Sequence, residues 1–440
     1  MNVAVKSPPG LAGEIVPPGD KSISHRAAIF NGIGSGSALV TNFSPGADCF
    51  STVECLRMLG VKIEVEEKRK FCPSLNIEGR GKQGLREPAD ILNAGNSGTT
   101  MRLLSGLLAA QPFFFVITGD ESLRSRPMGR IIKPLRLMGA RIWGRDNDSL
   151  APLAIKGGHL KSIRYDLPVA SAQLKSALIL AALYADGVTT LREPASSRDH
   201  TESMLAAMGV RLDRQGLQVS VSPMSRPPAC HDISVPGDIS SGAFWLVAAL
   251  IHPNANVKVK NCGLNPTRTG IIDVLKSMGA SLDILDERDE GGEKVGDIVV
   301  KSSRLKSTTV EGEMIPRLID ELPVIAVAAT QAEGTTVIRN AEELRVKESD
   351  RIETTVRELS RMGASIEALP DGMVIKGRSA LKGGLVDSHK DHRLAMSLAV
   401  AALAARGETT IDNSDCVDIS YPSFWEHLGM LSGLINQNAK

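Results

Sequence analysis

The amino-acid sequence predicts an α/β protein made of six copies of one repeating unit and divided into two similar domains of three copies each. Three observations predict this fold. A short motif containing glycine recurs along the 440 residues, an apolar helical segment recurs beside it, and two nearly identical Pro-Gly segments separate the copies into two groups. Self-similarity at a fixed period is typical of folds in which one supersecondary unit packs on the next.

The recurring motif has Met or Leu, then Gly, then Ala or Val, a polar residue and an aliphatic residue. Its clear copies centre on Gly60, Gly139, Gly209, Gly279 and Gly363, and Leu428-Gly429 is a degenerate sixth copy. Glycine adopts the left-handed backbone that ends many helices, so each copy predicts the end of a helix followed by a strand. Arg141-Ile142-Trp143 and Ser281–Ile284 are two of these predicted strands.

A second helix recurs in each copy, opening with polar residues and continuing as a run rich in Ala, Leu and Ile. Its copies are Ser24–Gly32, Ser97–Ala110, Ser171–Ala185, Ser240–Ile251, Asp320–Ala332 and Asp391–Ala405. Helices that are apolar on most faces are buried. Each unit of about seventy residues therefore holds one buried helix, one outer helix and several strands.

The domain boundaries are predicted by two near-copies, Val-Pro-Pro-Gly-Asp at 16–20 and Val-Pro-Gly-Asp at 235–238. Segments of this composition are typical of crossings between domains. We therefore expect one domain at 21–237 and a second at 1–20 plus 238–440. The two crossings could act as a hinge pair that lets the domains close.

Composition excludes several classes of function. There are 51 basic and 50 acidic residues, a balance that argues against a nucleic-acid footprint or a polybasic membrane anchor. The longest apolar runs, such as Leu394–Ala405, are too short to span a bilayer, and the first residues lack an apolar signal core. The six cysteines form no C-x-x-C pair and no metal-ligand pattern. We expect a cytoplasmic monomer with free thiols and no metal, acting on small molecules.

Cations near the starts of the predicted buried helices are the main functional signal. The N-terminus of a helix offers free backbone N–H groups and the positive end of the dipole, which favour anions and disfavour cations. Lys21, Arg26, Arg102 and Arg393 nevertheless lie near such starts. A Ser or Asn at a helix start is ordinarily only an N-cap, but departures from local rules are expected at functional sites.

Three loops before outer helices are also dense in charge. They are Ser122–Met128, Glu193–Glu202 and Arg345–Arg351. A charged loop is ordinarily a solvated surface. Because these three occupy the same position of the repeat, we interpret them as candidate functional loops.

Several motifs resemble the signatures of one family, the enolpyruvyl transferases that act on shikimate 3-phosphate. Pro18–Arg26 resembles its N-terminal signature, Leu92–Arg102 its central signature and Arg345–Arg351 its C-terminal signature. Asp320–Pro323 and Asp391–Met396 match as well, so the resemblance spans residues 18–396. It implies two similar domains, each with three βαβαββ units around buried parallel helices, in an inside-out α/β barrel that closes around its substrates.

The resemblance also implies a reaction. The enolpyruvyl group of phosphoenolpyruvate would move to the 5-hydroxyl of shikimate 3-phosphate with release of phosphate, a step towards chorismate and the aromatic amino acids. No cofactor is implied. Asp320 would accept the proton of the attacking hydroxyl, and Glu348 and Lys21 are candidates for proton transfer at C3 of the enol. General acid–base groups and a cluster of cations suffice for this chemistry.

Residues for substrate binding are carried over by position in the matching motifs. Those implied for shikimate 3-phosphate are Lys21, Ser22, Arg26, Ser171, Gln173, Arg198, Asp320 and Lys347. Those implied for phosphoenolpyruvate are Lys21, Gly98, Arg126, Gln173, Arg351 and Arg393. The chain departs from many relatives in one place, since the segment Cys416–Ser420 lacks the lysine that they carry there.

Two alternatives remain open at this stage. The first is an enolpyruvyl transferase of the same fold that acts on UDP-N-acetylglucosamine. Such enzymes usually carry a reactive cysteine in the loop that here is Glu121–Arg130, which has none. The second is a non-catalytic anion-binding protein, and the presence together of Asp320, Glu348 and Lys21 argues against it.

Overall fold

The computed structural model describes residues 1–67 and 70–433. These form two compact units. The first unit comprises Gly19–Val235 together with Glu290–Glu293, and the second comprises Met1–Pro18, Pro236–Asp289 and the chain from Lys294 onward. The division into functional domains at 21–237 and at 1–20 plus 238–440 stays a prediction, and its last residues lie beyond the described chain.

Helices alternate with groups of strands along residues 1–67 and 70–433. The elements up to residue 235 are β1 (Val3–Lys6), β2 (Leu11–Ile15), α1 (Lys21–Gly32), β3 (Ser37–Thr41), α2 (Ala47–Met58), β4 (Lys62–Glu66), β5 (Ser74–Glu78), β6 (Leu92–Asn93), α3 (Gly98–Leu108), β7 (Phe114–Thr118), α4 (Glu121–Ser125), α5 (Gly129–Leu137), β8 (Arg141–Gly144), the single turn α6 (Arg145–Asp148), β9 (Leu150–Lys156), β10 (Arg164–Asp166), α7 (Ala172–Ala182), β11 (Thr189–Arg192), α8 (His200–Ala207), β12 (Leu212–Gln215), β13 (Gln218–Val221) and β14 (Ile233–Ser234).

The same alternation continues after the second Pro-Gly segment. The remaining elements are α9 (Ile239–Ile251), β15 (Ala255–Gly263), α10 (Gly270–Ser277), β16 (Ser281–Glu290), β17 (Glu293–Lys301), β18 (Thr309–Val310), α11 (Ile315–Leu318), α12 (Leu322–Gln331), β19 (Thr335–Ile338), α13 (Arg351–Arg361), β20 (Ser365–Leu369), β21 (Gly372–Lys376), β22 (Leu385–Asp387), α14 (His392–Ala402), β23 (Glu408–Asp412) and α15 (Phe424–Ser432), with short 3-10 helices at Gly312–Met314, Glu342–Val346 and Ser414–Ile419.

The sheets of the first unit share one topology. Their strand orders are β14-β3-β5-β4, β6-β7-β9-β8 and β10-β11-β13-β12. In each sheet the first pair is parallel and the following pairs are antiparallel. Parallel neighbours need a long crossover connection. Where that crossover lies within the repeat, as between β6 and β7 or between β10 and β11, it contains a buried helix, α3 or α7.

The second unit repeats this arrangement with strands from the N-terminus. Its sheets have the orders β2-β15-β17-β16, β18-β19-β21-β20 and β1-β23-β22. Strand β2 pairs in parallel with β15, and β1 pairs antiparallel with β23. In the last sheet β1 takes the place that a hairpin strand has in the other copies.

The glycine motif is confirmed in five copies and wrong in the sixth. The five clear glycines all have positive φ, between 80° for Gly209 and 99° for Gly139. Gly429 instead lies buried inside α15, and that helix ends at Gly433 with φ 68°. The sixth copy differs because α15 follows the last strand of its sheet, so no strand has to start after Gly429.

Aliphatic helices form the core of each unit. In the first unit α7 is buried from Leu174 to Ala182, and in the second α9 is buried from Ile239 to Leu250. Aromatic residues make up only 3% of the chain, so small residues set the spacing between helices. Gly106 of α3 shows this most clearly, since a Cβ atom there would lie 2.1 Å from the carbonyl oxygen of Ala177 in α7.

The close approach of α3 and α7 predicts that Gly106→Ala is destabilising. The added methyl group meets backbone that cannot rotate away, and overpacking of this kind costs about 1–3 kcal/mol, more than alanine gains in helix propensity. The urea midpoint of unfolding should fall. Gly129→Ala is the matched control, because Gly129 opens α5 with no atom within 4 Å of an added Cβ. Equal midpoints for the two variants would contradict the close approach.

Candidate active site

In the first unit, the starts of the buried helices are capped by side chains that the sequence motifs contain. The Asp20 carboxylate accepts from the N–H of Ile23 at 2.9 Å, and the Ser97 hydroxyl accepts from that of Thr100 at 3.1 Å. Ser171 accepts from the N–H of Leu174 at 3.4 Å. These caps place five predicted site residues at or beside the three starts, namely Lys21, Ser22, Gly98, Ser171 and Gln173.

Lys21 has a carboxylate partner that the sequence did not reveal. Its ammonium group forms an ion pair with Asp48, a buried residue in the first turn of α2. This pairing explains how a lysine is tolerated at the positive end of the α1 dipole. Asp48 lies outside every motif, so only the structure connects it with Lys21.

Arg26 is buried and held by three groups. It donates to the Ser22 carbonyl oxygen at 2.9 Å, to the Thr201 hydroxyl at 2.6 Å and to the Ser176 hydroxyl at 2.7 Å. Burial lowers its pKa to about 10, although Glu202 and Asp20 oppose this shift, and the charge of Arg198 lowers the pKa further. Arg26 thus feels the positive charge of Arg198 as well as the negative charges of Glu202 and Asp20.

A second cluster of cations surrounds the start of α3. Arg126 donates to the Asn96 side-chain oxygen at 2.7 Å and to Ser122 at 3.2 Å. Arg102 donates to the side-chain oxygen of Gln173. A Cβ atom on Gly98 would lie 2.9 Å from a terminal nitrogen of Arg102 and 3.6 Å from one of Arg126. Glycine at this position therefore gives both guanidinium groups access to the start of the helix.

Arg198 belongs to a loop that a buried ion network holds in place. Lys175, only 1% exposed, pairs with Glu193 at 2.8 Å and with Glu202 at 2.7 Å. Ser197 donates to the same Glu193 carboxylate. Lys175 lies in the predicted buried helix Ser171–Ala185, but its role as the anchor of the loop was missed because its partners lie 18 and 27 residues away.

Two histidines of the motifs, His25 and His200, hydrogen-bond to side chains of the protein. His25 is buried, and burial together with the charges of Lys21 and Arg26 holds its pKa well below the usual value, so the ring is neutral. Its Nδ1 atom hydrogen-bonds to Thr52 at 2.7 Å, and Thr52 continues to Thr100 at 2.6 Å. His200 hydrogen-bonds through Nδ1 to Glu293 at 2.7 Å.

In the second unit, Arg351 gathers three carboxylates around one buried guanidinium. It contacts Asp391 at 2.8 Å, Glu348 at 2.6 Å and Asp320 at 3.3 Å. Burial opposes ionisation of Arg351, but the three negative charges prevail and raise its pKa above the usual value. Asp320 and Glu348 are the two carboxylates with partly exposed side chains, 17% and 20%, so both can meet a ligand.

Asp391 connects this cluster to the start of α14. Its carboxylate accepts from the backbone N–H of Arg393 at 2.9 Å and so caps the helix. Burial opposes its ionisation, but the charge and hydrogen bonds of Arg351 prevail and keep its pKa below the usual value. The motif contained Asp391, yet its role as partner of Arg351 was not predicted. Lys347 lies one residue before Glu348 and pairs with Glu343 at 3.7 Å.

The predicted site residues thus form two sets. Those in the first unit are Lys21, Ser22, Arg26, Gly98, Arg126, Ser171, Gln173 and Arg198. Those in the second unit are Asp320, Lys347, Glu348, Arg351 and Arg393. In both units they lie at starts of buried helices or in the loops before outer helices. Each set combines fixed cations with hydroxyl, amide or carboxylate groups, which suits small anions with several acidic groups.

Two further properties of the described residues bear on function. In residues 1–67 and 70–433, no helix is both long enough and apolar enough to cross a membrane. Over the same stretches, the His, Cys, Asp and Glu side chains form no group of three or more that could hold a metal ion.

Comparison with known proteins gives a consistent result over nearly the whole chain. The profile of the family described as EPSP synthase (3-phosphoshikimate 1-carboxyvinyltransferase) matches residues 5–428. A protein named 3-phosphoshikimate 1-carboxyvinyltransferase from Desulforudis audaxviator is 54% identical over 98% of this chain and 99% of its own length. One of the same name from Herpetosiphon aurantiacus is 53% identical, with the same coverage.

Solved structures show the same likeness. The EPSP synthase of Acinetobacter baumannii superimposes with a TM-score of 0.87 at 44% identity, covering 98% of both chains. The enolpyruvyl transferase NikO from Streptomyces tendae gives a TM-score of 0.78 at 17% identity, covering 97% of this chain and 96% of its own, and shares the fold.

The Arg351 cluster predicts a defined pH dependence of stability. Asp391→Asn keeps a good N-cap for α14 but removes one charge beside a buried guanidinium, which we expect to cost about 3 kcal/mol at pH 7. Because the folded-state pKa of Asp391 is depressed, its contribution is fully present above the unfolded-state pKa of about 3.9. That contribution is lost as pH falls through the folded-state value.

The measurement is the free energy of unfolding in urea between pH 7 and pH 3. The wild-type protein should lose more stability than the Asp391→Asn variant as pH falls below about 4, so that the difference between the two curves narrows there. Parallel curves through this range would show that Asp391 is not stabilised as a carboxylate.

Proposed function

The chain belongs to the EPSP synthase (3-phosphoshikimate 1-carboxyvinyltransferase) family, and from that premise we propose that it transfers the enolpyruvyl group of phosphoenolpyruvate to the 5-hydroxyl of shikimate 3-phosphate, releasing phosphate. The observation that carries the proposal is the pairing of two partly exposed carboxylates, Asp320 and Glu348, with one buried Arg351. The proposed step leads to chorismate and the aromatic amino acids. The relatives that match nearly the full chain are named 3-phosphoshikimate 1-carboxyvinyltransferase, so the UDP-N-acetylglucosamine alternative is not favoured.

Shikimate 3-phosphate needs hydrogen-bond partners for its hydroxyls and cations for its phosphate and carboxylate. We assign it to Lys21, Ser22, Arg26, Ser171, Gln173, Arg198, Asp320 and Lys347. The charge of Arg198 that acts on Arg26 supports this assignment, because a phosphate group is bound best by more than one cation. Ser22 and Ser171 stand at helix starts, where backbone N–H groups add further donors.

Phosphoenolpyruvate carries a phosphate and a carboxylate on three carbons, so it needs several fixed cations. We assign it to Lys21, Gly98, Arg126, Gln173, Arg351 and Arg393. The convergence of Arg102 and Arg126 on Gly98 supports a binding position at the start of α3. Since three carboxylates surround Arg351, we propose that it serves this substrate in part by orienting Asp320 and Glu348.

The proposed chemistry proceeds by addition and then elimination. The 5-hydroxyl oxygen bonds to C2 of phosphoenolpyruvate while Asp320 accepts the hydroxyl proton, and C3 gains a proton from Glu348 or Lys21. The resulting tetrahedral intermediate loses phosphate by cleavage of the C2–O bond, and C3 returns a proton to the same group. Fixed cations stabilise the negative charge of the departing phosphate.

We further propose that the chain forms two domains, at 21–237 and at 1–20 plus 238–440. Cysteines 49, 55, 72, 230, 262 and 416 are free thiols, which suits a reducing compartment and a cytoplasmic location. We expect a monomer that acts on small molecules without a nucleic-acid or membrane partner.

The direct test is release of inorganic phosphate from the purified protein with both substrates present. Asp320→Ala should lower the rate by about 10²- to 10⁴-fold, the usual contribution of a general base. Asp283→Ala, which removes an exposed carboxylate on β16 of the same unit, should retain the wild-type rate. Reactions that omit either substrate should release no phosphate. A folded wild-type protein that releases none with both substrates would refute the proposal, and UDP-N-acetylglucosamine would then replace shikimate 3-phosphate as acceptor.

The assignment of cations predicts that each arginine affects the Michaelis constant of one substrate only. Arg198→Gln should raise KM for shikimate 3-phosphate about 10- to 100-fold, as expected for the loss of a charge-assisted hydrogen bond, with KM for phosphoenolpyruvate nearly unchanged. Arg393→Gln should show the reverse pattern. Steady-state kinetics with the second substrate saturating separates the two constants. Equal increases in both constants for either variant would contradict the assignment of that arginine.

A further inference from the structure

Two neighbouring carboxylates occupy the turn between α11 and α12, and the proposed chemistry uses only one of them. Asp320 reaches Arg351 at 3.3 Å. Glu321 is only 1% exposed, and its carboxylate accepts from the hydroxyl of Ser240 at the start of α9. Burial of a charged carboxylate carries a penalty of several kcal/mol, which only good partners offset. A buried charge beside the proposed base therefore requires an explanation.

Ser240 connects Glu321 to a second buried arginine. Arg268 is 2% exposed and donates to the Ser240 hydroxyl at 2.7 Å and to the Asp238 carboxylate at 3.0 Å. Asp238 also caps α9 by accepting from the N–H of Ser240 at 2.8 Å. We call the four residues Asp238, Arg268, Ser240 and Glu321 the buried quartet. It links the start of α9 to the start of α12.

The loop that carries Arg268 is itself well held. The backbone N–H of Arg268 donates to the Asn265 carbonyl at 2.8 Å, and the Thr267 hydroxyl donates to the Asn265 side chain at 2.7 Å. Arg317, which follows Pro316 in α11, donates to the Pro266 carbonyl at 2.9 Å. Arg268 therefore projects from a fixed backbone, and the loop is tied to the helix that leads into the turn with Asp320.

One end of the buried quartet lies at a predicted crossing. The backbone N–H of Asp238 donates to the carbonyl of Pro18 at 2.9 Å, so the Pro-Gly segments near 16–20 and 235–238 are joined where the quartet begins. The turn with Asp320 is thus held from two sides, by Arg351 through Asp320 and by the quartet through Glu321.

We propose that Glu321 and Arg268 are positioning residues that hold Asp320 where it can accept the proton of the attacking hydroxyl. This inference rests on the proposed function of Asp320. A general base must lie within hydrogen-bond distance of its proton, and a displacement of about 1 Å can cost roughly 100-fold in rate. An amide at residue 321 would bond to Ser240 less strongly than the carboxylate does, so the quartet would hold the turn less firmly.

The test is Glu321→Gln in the full-length protein, measured by phosphate release at varied concentrations of both substrates. The amide retains a hydrogen-bond acceptor for Ser240 but lacks the charge. We expect kcat to fall about 10- to 100-fold while both KM values stay within about threefold of wild type, since substrate contacts are unchanged. A wild-type kcat in the folded variant, or an effect on KM alone, would overturn the inference. An inactive wild-type protein would instead refute the proposed function, and this role with it.

Two controls distinguish a positioning role of Glu321 from a merely structural role. Tyr421→Phe, in the same unit, removes a fully buried hydroxyl that bonds to Trp245 and His427, so it should lower the unfolding midpoint with kcat unchanged. In the Asp320→Ala background, Glu321→Gln should cause no further loss of the residual rate, because the base that it positions is gone. A multiplicative loss in that background would show that Glu321 does not act through Asp320.

Arg268→Lys tests the other end of the buried quartet. It also replaces Glu321→Gln as the test if that variant does not fold. One terminal nitrogen of Arg268 contacts both Asp238 and Ser240, and lysine keeps the charge but lacks the guanidinium group that carries this nitrogen. It should lower kcat with little change in either KM, as Glu321→Gln does. Wild-type kcat in Arg268→Lys would exclude Arg268 from the positioning role.

Discussion

A buried helix can satisfy its internal backbone hydrogen bonds but not those at its ends, and this constraint governs the whole structure. In both units apolar helices are buried along nearly their full length, as in α7 and α9. In five of the six buried helices a side chain accepts from one of the first N–H groups, and these side chains are Asp20, Ser97, Ser171, Asp238 and Asp391. The sixth helix, α12, has no such cap and begins with a proline near its first position instead. The polar groups of an otherwise aliphatic interior are therefore concentrated at helix starts, where the site residues lie.

Buried charge is the second consequence. Arg26, Lys175, Arg268 and Arg351 are each at most 3% exposed, and every one of them carries a desolvation penalty of several kcal/mol. Carboxylates or hydroxyls surround each of these cations at hydrogen-bond distance. Such groups cannot reorient when a ligand arrives. A site of this kind is preorganised for a reaction in which negative charge moves from one oxygen to another.

The repeats share a fold but carry different residues at equivalent helix starts. The start of α1 presents Lys21 and Ser22, which remain partly exposed, whereas the equivalent start of α9 is filled by Arg268 and Glu321. The start of α1 thus carries proposed substrate-binding residues, whereas the equivalent start of α9 contacts the proposed positioning residues. A repeated architecture alone does not identify function, which depends on the side chains that each copy carries.

Local features of the chain were determined by the sequence itself. The buried helices and the five glycine caps follow from apolar patterning and from the left-handed backbone that glycine adopts, both of which act over a few residues. The same motifs contain most of the candidate site, because helix starts are local as well. Gly429 was misassigned because its motif is ordinary inside a helix when no strand follows.

Only the tertiary structure decided which charges meet. Asp48 pairs with Lys21 across 27 residues, Thr201 accepts from Arg26 across 175, and Ser240 joins Glu321 across 81. Nothing in the local pattern marks these partners, because an ion pair needs two groups close in space and not close along the chain. The sequence therefore determined where helices start and which polar residues stand there, whereas the packing of distant segments decided how each buried charge is neutralised.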